Sequence, residues 1–468
     1  MRFILPVCLL LCLAWACSRD SHNAAATLQY ELDLNPTEGI QVTLRVKGLH
    51  PGKPAFRIFS QWGLLEDQGR HIEGLRAETP EGTPVPMAYS VKGWMAVWRP
   101  RHKIKGDLVL RYRVLGYPRH RSAEATFLTR EQGVVVGYSA YLVPAELTDY
   151  LPSTMTVRVT APKDWPVWAS WPEQEGLYRP PTVHDLWSSV VATGAFREVS
   201  MASERASVTV LTESAWAPRT ALTVANRLLP VLGGMVSLFD GPPRGDDFHV
   251  LAIYRSTPVR GRSIMMGVKE EGAFLCLATP DRYGNLDGIT ALAVHECLHF
   301  YLGGVLTAPP EPPYQNSPDM IWFFEGMTEY LTYRIMREER VIDDRTLARV
   351  RREKQSLITD RDLTGVSLAE AARSLDRPSV YELVYAKGYL VAELLDRSMS
   401  LRCGDGALDD VLRGLVRDFD FHRTSHMLEQ EEILEALERR CPGSADMVRR
   451  YAVGNAPLPE DPDAGSSE

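Results

Sequence analysis

The chain reads as a multidomain α+β protein, and three observations lead there. Across 27–204, short runs alternate polar and apolar residues between Gly, Pro and Asn turns, the period-two pattern of strands. From Ser207 to Ala278 strand-like and helix-like runs alternate. From Asp319 to Arg450 the apolar spacing is almost wholly helical. The expectation is an N-terminal β-sandwich over 27–204, a mixed segment over 205–335 and a helical C-terminal region over 336–453. With 468 residues, 45% hydrophobic and 24% charged, the chain suffices for two or three globular domains. A net charge of -8 gives no reason to expect nucleic acid as a partner.

Taken in order, Arg2 and the apolar run Phe3 to Ala16 have the form of a signal peptide, too short for a spanning helix. Residues 1–16 are thus expected to be removed on export. Ala14-Trp15-Ala16 precedes Cys17, the arrangement of a bacterial lipoprotein signal, except that Ala14 stands where Leu is usual. On that reading lipid on Cys17 anchors the protein to a membrane of the bacterial cell envelope, with 17–26 as a flexible tether. Periplasmic or secreted protein without lipid is the alternative.

Strand pattern is plain in Leu28 to Leu34, Gln41 to Val46 and Asp107 to Val114. Trp94, Trp98, Trp165, Trp168 and Trp171 fit core packing in such strands, with a sugar platform as the other reading. Beyond Ser207 to Leu211, Ala217 to Phe239 reads as an amphipathic helix and His249 to Tyr254 as a buried strand. Ala273 to Ala278 reads as an edge strand. Residues 454–468 are rich in Pro, Gly and acid and read as a disordered tail.

The chemistry concentrates in His295-Glu296-Cys297-Leu298-His299. On a helix, residues four apart share a face, so both imidazoles can aim at one metal while Glu296 faces a water beside it. Two satisfied histidines on a buried helix are the plainer alternative. The polar start at Asp287, the apolar run to Val294 and Gly303-Gly304 mark a short helix that ends one turn past His299.

A catalytic zinc site takes a third protein ligand and leaves a position for water. Glu325, in the apolar stretch Trp322 to Tyr330, follows the helix-start signal Ser317-Pro318-Asp319. Twenty-five residues, 300 to 324, separate it from His299 and include the turn Pro309 to Pro313. A buried carboxylate needs a partner, which zinc or Arg334 could supply. Glu329, one turn on, either accepts the second ring N–H of a ligand His or is solvated.

Together the helix motif, the aromatic-Glu-Gly-x-Thr-x-Tyr segment Phe324 to Tyr330 and Tyr385-Ala386-Lys387-Gly388 resemble the gluzincin metallopeptidases. The resemblance is nearest to the glycyl aminopeptidase family and more distant to aminopeptidase N. It covers most of 27–450, with specific motifs only in 295–396, and implies a thermolysin-like catalytic domain over 205–335. It also implies His295, His299 and Glu325 as ligands of one Zn2+, Glu296 as general base and acid, and Tyr385 as donor to the oxyanion. A phenol suits that last task because it stays protonated at neutral pH; alone, Tyr385 would read as a packing residue.

Three departures concern specificity. The family's Gly-Leu-Glu-His segment, whose Glu can hold a substrate amine, is matched only by Gly267 to Phe274, so Glu270 or Glu271 is the candidate, against a solvated turn. The polar, basic segment after the second His is replaced by Phe300 to Gly304. The chain is expected to lack the family's C-terminal PDZ domain.

Of seven cysteines, Cys276, Cys297, Cys403 and Cys441 lie in the folded part. Cys297 points away from the two His as a small buried residue, and Cys403 with Cys441 could form one disulfide. The expected function is hydrolysis of peptide bonds in a peptide or protein substrate, with aminopeptidase and endopeptidase both open. The alternative is a non-catalytic envelope lipoprotein that binds peptides or partner proteins in a degenerate cleft.

Overall fold

The computed structural model describes residues 26–459 except 63–64, 118–121, 151, 246, 258–264, 309–316, 361–362, 364 and 375–376. The export segment, Cys17, the tether before Ala26, the Pro309 to Pro313 turn and the tail from 460 lie outside the described residues. Two compact units result. One takes the chain up to Gly116 together with Gly137–Lys163 and Trp171–Ser188; the other takes Tyr117–Val136, Asp164–Ser170 and everything from Ser189.

Among the described residues the first unit holds two sheets. Its larger sheet orders Glu173–Gln174, Leu177–Tyr178, Thr154–Thr160, Thr27–Asn35, Gly39–Lys47, Leu108–Val114, Ile72–Glu78 and Pro84–Val85. The alternation in sequence has a direct physical result in Gly39–Lys47, where Ile40, Val42, Leu44 and Val46 are buried and the residues between them are not. A one-residue slip would put all four in water, so the register is fixed. The smaller sheet orders Val143–Pro144, Phe56–Phe59, Met95–Pro100 and Met87–Lys92. Trp98 and Trp171 are buried packing residues, whereas Trp94 is 42% exposed.

Two excursions within the stretch expected to be wholly β-sandwich belong to the second unit. Arg255, fully buried, explains one of them: its guanidinium donates to the carbonyls of Ala123 (2.5 Å) and Ala125 (3.1 Å) and lies over the Phe127 ring. A buried cation needs acceptors for its N–H groups, and these carbonyls supply them at Nη1. The unit's four-stranded sheet orders Val167–Ala169, Val190–Gly194, Gln132–Val136 and Phe127–Leu128.

Its five-stranded sheet orders Arg197–Ala202, Ala206–Thr212, Phe248–Ser256, Ala273–Ala278 and Met265–Glu270. Ala273–Ala278 is therefore an interior strand, which corrects the edge position read from sequence; the edge is Met265–Glu270, paired antiparallel. All six residues of Ala273–Ala278 are buried, so the strand is covered on both faces as well as paired on both sides. Gly272, at φ +64, turns the chain between the two strands. Helix Thr220–Leu238 packs Val224, Leu228, Val231 and Met235 into the core. It is long and apolar enough to cross a membrane by length and composition, and 44% of its most apolar window is buried within the protein.

Helix Leu286–Leu298 follows, capped by Asn285, whose side chain accepts from the Gly288 N–H. It ends before His299, a turn earlier than the glycines suggest, and His299 occupies the C-terminal cap. Past a 3-10 turn, Pro318–Met320, the apolar stretch Trp322–Met327 is a π-helix rather than an α-helix, continued by α-helix Thr328–Glu338. Helices Asp344–Asp360, Leu383–Cys403, Ala407–Phe419 and Gln430–Arg440 make up most of the rest. Cys403 and Cys441 form a disulfide across 38 residues, with 5.8 Å between their Cα atoms.

Candidate active site

Three elements of the second unit bring the candidate residues together. The end of helix Leu286–Leu298 presents His295 and His299. Glu325 comes from the π-helix, whose wider turn is a recurrent feature of functional sites. Tyr385 comes from the first turn of helix Leu383–Cys403, and its ring centre lies 5.8 Å from that of His295.

The donor atoms of His295, His299 and Glu325 all lie within 4.8 Å of one another. The two Nε2 atoms are 3.1 Å apart, and the Glu325 Oε2 is 3.2 Å from one and 3.5 Å from the other. Tetrahedral ligands about 2.0–2.1 Å from zinc stand about 3.3 Å from one another, so the spacing fits. The outer ring nitrogens agree with it. Nδ1 of His295 lies 3.0 Å from the Glu329 carboxylate, and Nδ1 of His299 lies 3.0 Å from the Leu302 carbonyl. Both acceptors call for Nδ1–H, which leaves the Nε2 lone pairs converging on one point.

Charge at this point also calls for a cation. Burial opposes protonation of His295, yet Glu325 and Glu329 outweigh it and raise its pKa to about 10. Burial likewise opposes ionisation of Glu325, but the two imidazoles hold its carboxyl well below the usual range. Glu329 is held at about 2 against burial by the Lys354 ammonium and by His295. The residues present therefore fit a divalent metal in donor type, spacing and charge. Arg334, the other partner considered for Glu325, is engaged elsewhere, with Asp396 (3.2 Å), Asp409 (2.5 Å) and Glu338 (3.3 Å).

Glu296 is not among the converging donors. Burial raises its pKa against the pull of His299 and His295, and its side chain lies against Gly267 of the edge strand. Tyr385 is held far above the ordinary phenol value by the Glu325 charge and by burial, and its ring stands edge-on to that of Tyr381, 6.0 Å between centres. Glu271 does not face the site as a free carboxylate: Arg244 binds it at 3.0 Å and Lys269 stands 3.9 Å away. Glu270 is buried at the end of the edge strand. Cys297 and Cys276 are buried free thiols.

Sequence reasoning passed over two features. Lys354 donates to Glu329 at 2.5 Å from the charged helix Asp344–Asp360. Gly326 and Gly388 touch backbone to backbone, a Cβ at 388 falling 2.6 Å from the Gly326 Cα. A lysine among many charges carries no mark in sequence, whereas glycines inside two apolar helical runs did signal close approach.

Fold and site thus define a two-unit α+β protein with a His-His-Glu cluster fitted for a metal. Comparison with known proteins agrees. Residues 29–195 match the profile of the Peptidase M61 N-terminal domain. An aminopeptidase N family protein from Idiomarina loihiensis superposes with a TM-score of 0.77 at 18% identity, over 92% of this chain and 77% of that one. An M1 zinc metallopeptidase from Deinococcus radiodurans gives 0.55 at 16% identity, over 93% and 96%. A variant of that enzyme bound to a Tyr-Ser-Ala substrate gives 0.56 at 16%, over 94% and 97%. At these identities the likeness is one of fold. No curated protein matches the chain in sequence.

Proposed function

We propose that the chain is a zinc metallopeptidase that hydrolyses peptide bonds, with one Zn2+ held by His295, His299 and Glu325. The observation that carries the reading is the convergence of two Nε2 atoms and one carboxylate oxygen at 3.1, 3.2 and 3.5 Å, with both Nδ1 atoms already facing acceptors. The metallopeptidase likeness of the fold supports it. When bound, zinc would supply the positive charge that polarises a scissile carbonyl and acidifies a water.

The chain's own residues do the rest. Glu296, its pKa raised by burial, takes a proton from the attacking water and returns it to the leaving amine. Tyr385 keeps its proton at neutral pH and offers it to the oxygen that becomes negative. Neither residue is needed to hold a metal, which disfavours a purely binding role for the cleft. Glu270 and Glu271, at the end of the edge strand, are the candidates to hold a substrate amine in the aminopeptidase form of the reading, and Arg244 and Lys269 already stand at Glu271.

Metal analysis and peptide digestion test both levels. Glu296→Gln should keep about one zinc per chain and lose most activity, whereas Glu325→Ala should lose zinc as well. Full activity in Glu296→Gln would refute the mechanism. Peptides with free and acetylated N-termini separate the modes: stepwise loss from free ends supports the aminopeptidase, and internal cleavage of acetylated peptides eliminates it.

A further inference from the structure

Behind the first ligand a chain of contacts runs outward. The His295 Nδ1 meets one oxygen of Glu329 at 3.0 Å, and the other oxygen of the same carboxylate accepts from Lys354 Nζ at 2.5 Å. All three side chains are largely buried, with exposures of 8% for His295, 12% for Glu329 and 19% for Lys354. Two other basic groups of helix Asp344–Asp360 behave differently. Arg349 pairs with Glu353 on its own helix at 54% exposure, and Arg351 reaches Glu393 at 39%. Lys354 alone among these three is turned inward, onto a carboxylate that already serves a histidine.

We propose that Lys354 is a positioning residue for the metal centre, acting through Glu329 to fix His295 as a ligand. The inference rests on the zinc reading above. A carboxylate at the end of a flexible side chain can accept the imidazole N–H from several rotamers. A second, charge-assisted bond to its other oxygen holds both oxygens in place and leaves one aimed at Nδ1. With Nδ1 committed as donor, Nε2 presents its lone pair to the metal. Lys354 also offsets the charge of Glu329, so a buried anion behind the ligand is not left uncompensated.

Zinc affinity reads this role directly, without substrate. Chelator competition on purified full-length protein should give Lys354→Met a zinc dissociation constant raised on the order of tenfold, in the range for outer-sphere partners of metal ligands. Lys354→Arg should restore most of the affinity, since it returns the cation and the donor. Glu329→Gln should also weaken zinc, and Lys354→Met added to Glu329→Gln should weaken it no further, because the path through the carboxylate is already cut. The melting temperature of the zinc-free proteins reports folding separately. Equal zinc affinity in wild type and Lys354→Met overturns the proposal while leaving the zinc centre standing, as do independent, multiplying losses in the double variant. A wild-type protein that binds no zinc overturns both readings, and zinc binding without peptide hydrolysis overturns only the peptidase.

Discussion

Gly388→Ala tests whether one helix crossing sets the distance between Tyr385 and the metal centre. Gly388 lies three residues past Tyr385 on helix Leu383–Cys403, on the same side of the helix. Its backbone rests on Gly326, the residue after Glu325. A Cβ at 388 would sit 2.6 Å from the Gly326 Cα, and carbon atoms in contact want about 3.5 Å or more, so the helices must part by about 1 Å. The Cβ is fixed by its own backbone and the Gly326 Cα is backbone, so neither can rotate away. Overpacking of this kind costs about 1–3 kcal/mol, or roughly 2–10 °C in melting temperature for a unit of this size. A misplacement of about 1 Å at a reacting group can lower turnover on the order of a hundredfold. The assay compares kcat, KM and melting temperature of Gly388→Ala with those of Gly233→Ala, which has nothing within 4 Å of its Cβ and should gain about 0.5–1 kcal/mol. In a Tyr385→Phe background, Gly388→Ala should lower kcat little further. Wild-type kcat and melting temperature in Gly388→Ala would refute the crossing, and multiplying losses would refute its action through Tyr385.

Other consequences are as direct. Tyr385→Phe removes the oxyanion donor and should lower kcat on the order of a hundredfold to a thousandfold with zinc content unchanged; a change in stability alone would return Tyr385 to a packing role. Reducing the Cys403–Cys441 disulfide, or replacing both residues with Ser, frees a 38-residue loop and should cost about 4 kcal/mol on the loop-entropy account, read from denaturant midpoints. Burial lowers the pKa of Lys387 to about 8, so between pH 8 and its unfolded value the unfolded chain binds the extra proton and stability rises with pH. Relative to Lys387→Met, wild type should therefore gain about 1–3 kcal/mol from pH 7 to pH 10, and a pH-independent difference would contradict this.

Much of the scaffold was legible because its patterns are periodic. Alternation in Gln41 to Val46 gave a strand with one face buried, and the His295/His299 spacing brought two rings together, 4.8 Å between centres, although the helix stops just before the second. Glu325 stood out as a lone carboxylate among Trp322, Phe323 and Phe324. What escaped lacks a period. Six buried residues in Ala273–Ala278 look the same at an edge or in the interior, because burial on both faces erases alternation. The π-helix around Glu325 closes its hydrogen bonds one residue farther along the chain than the α-helix, and local composition does not announce it. Lys354 acquires its meaning only from the partner it meets 25 residues back along the chain.

Charge balance at the centre leads to the last expectation. Around the two imidazoles stand three carboxylates, Glu296, Glu325 and Glu329, and one ammonium, Lys354. Fully ionised they carry a net charge of -2, which a buried site cannot leave uncompensated. A divalent cation cancels it. Without one, the field of Glu325 and Glu329 keeps a proton on His295 up to a pKa of about 10. Metal and proton therefore compete for the same lone pair, and binding one must release the other. At pH 8 an ordinary imidazole is already about 97% neutral and would give up almost nothing. The zinc-free protein titrated with zinc at pH 8 in weak buffer should instead release about one proton per zinc from His295. That release should shrink on moving to Glu329→Gln, which removes one of the two charges holding the proton. Zinc uptake at pH 8 with no proton release would show that the carboxylates do not set the protonation of His295, and would refute this account of why the site favours a divalent ion.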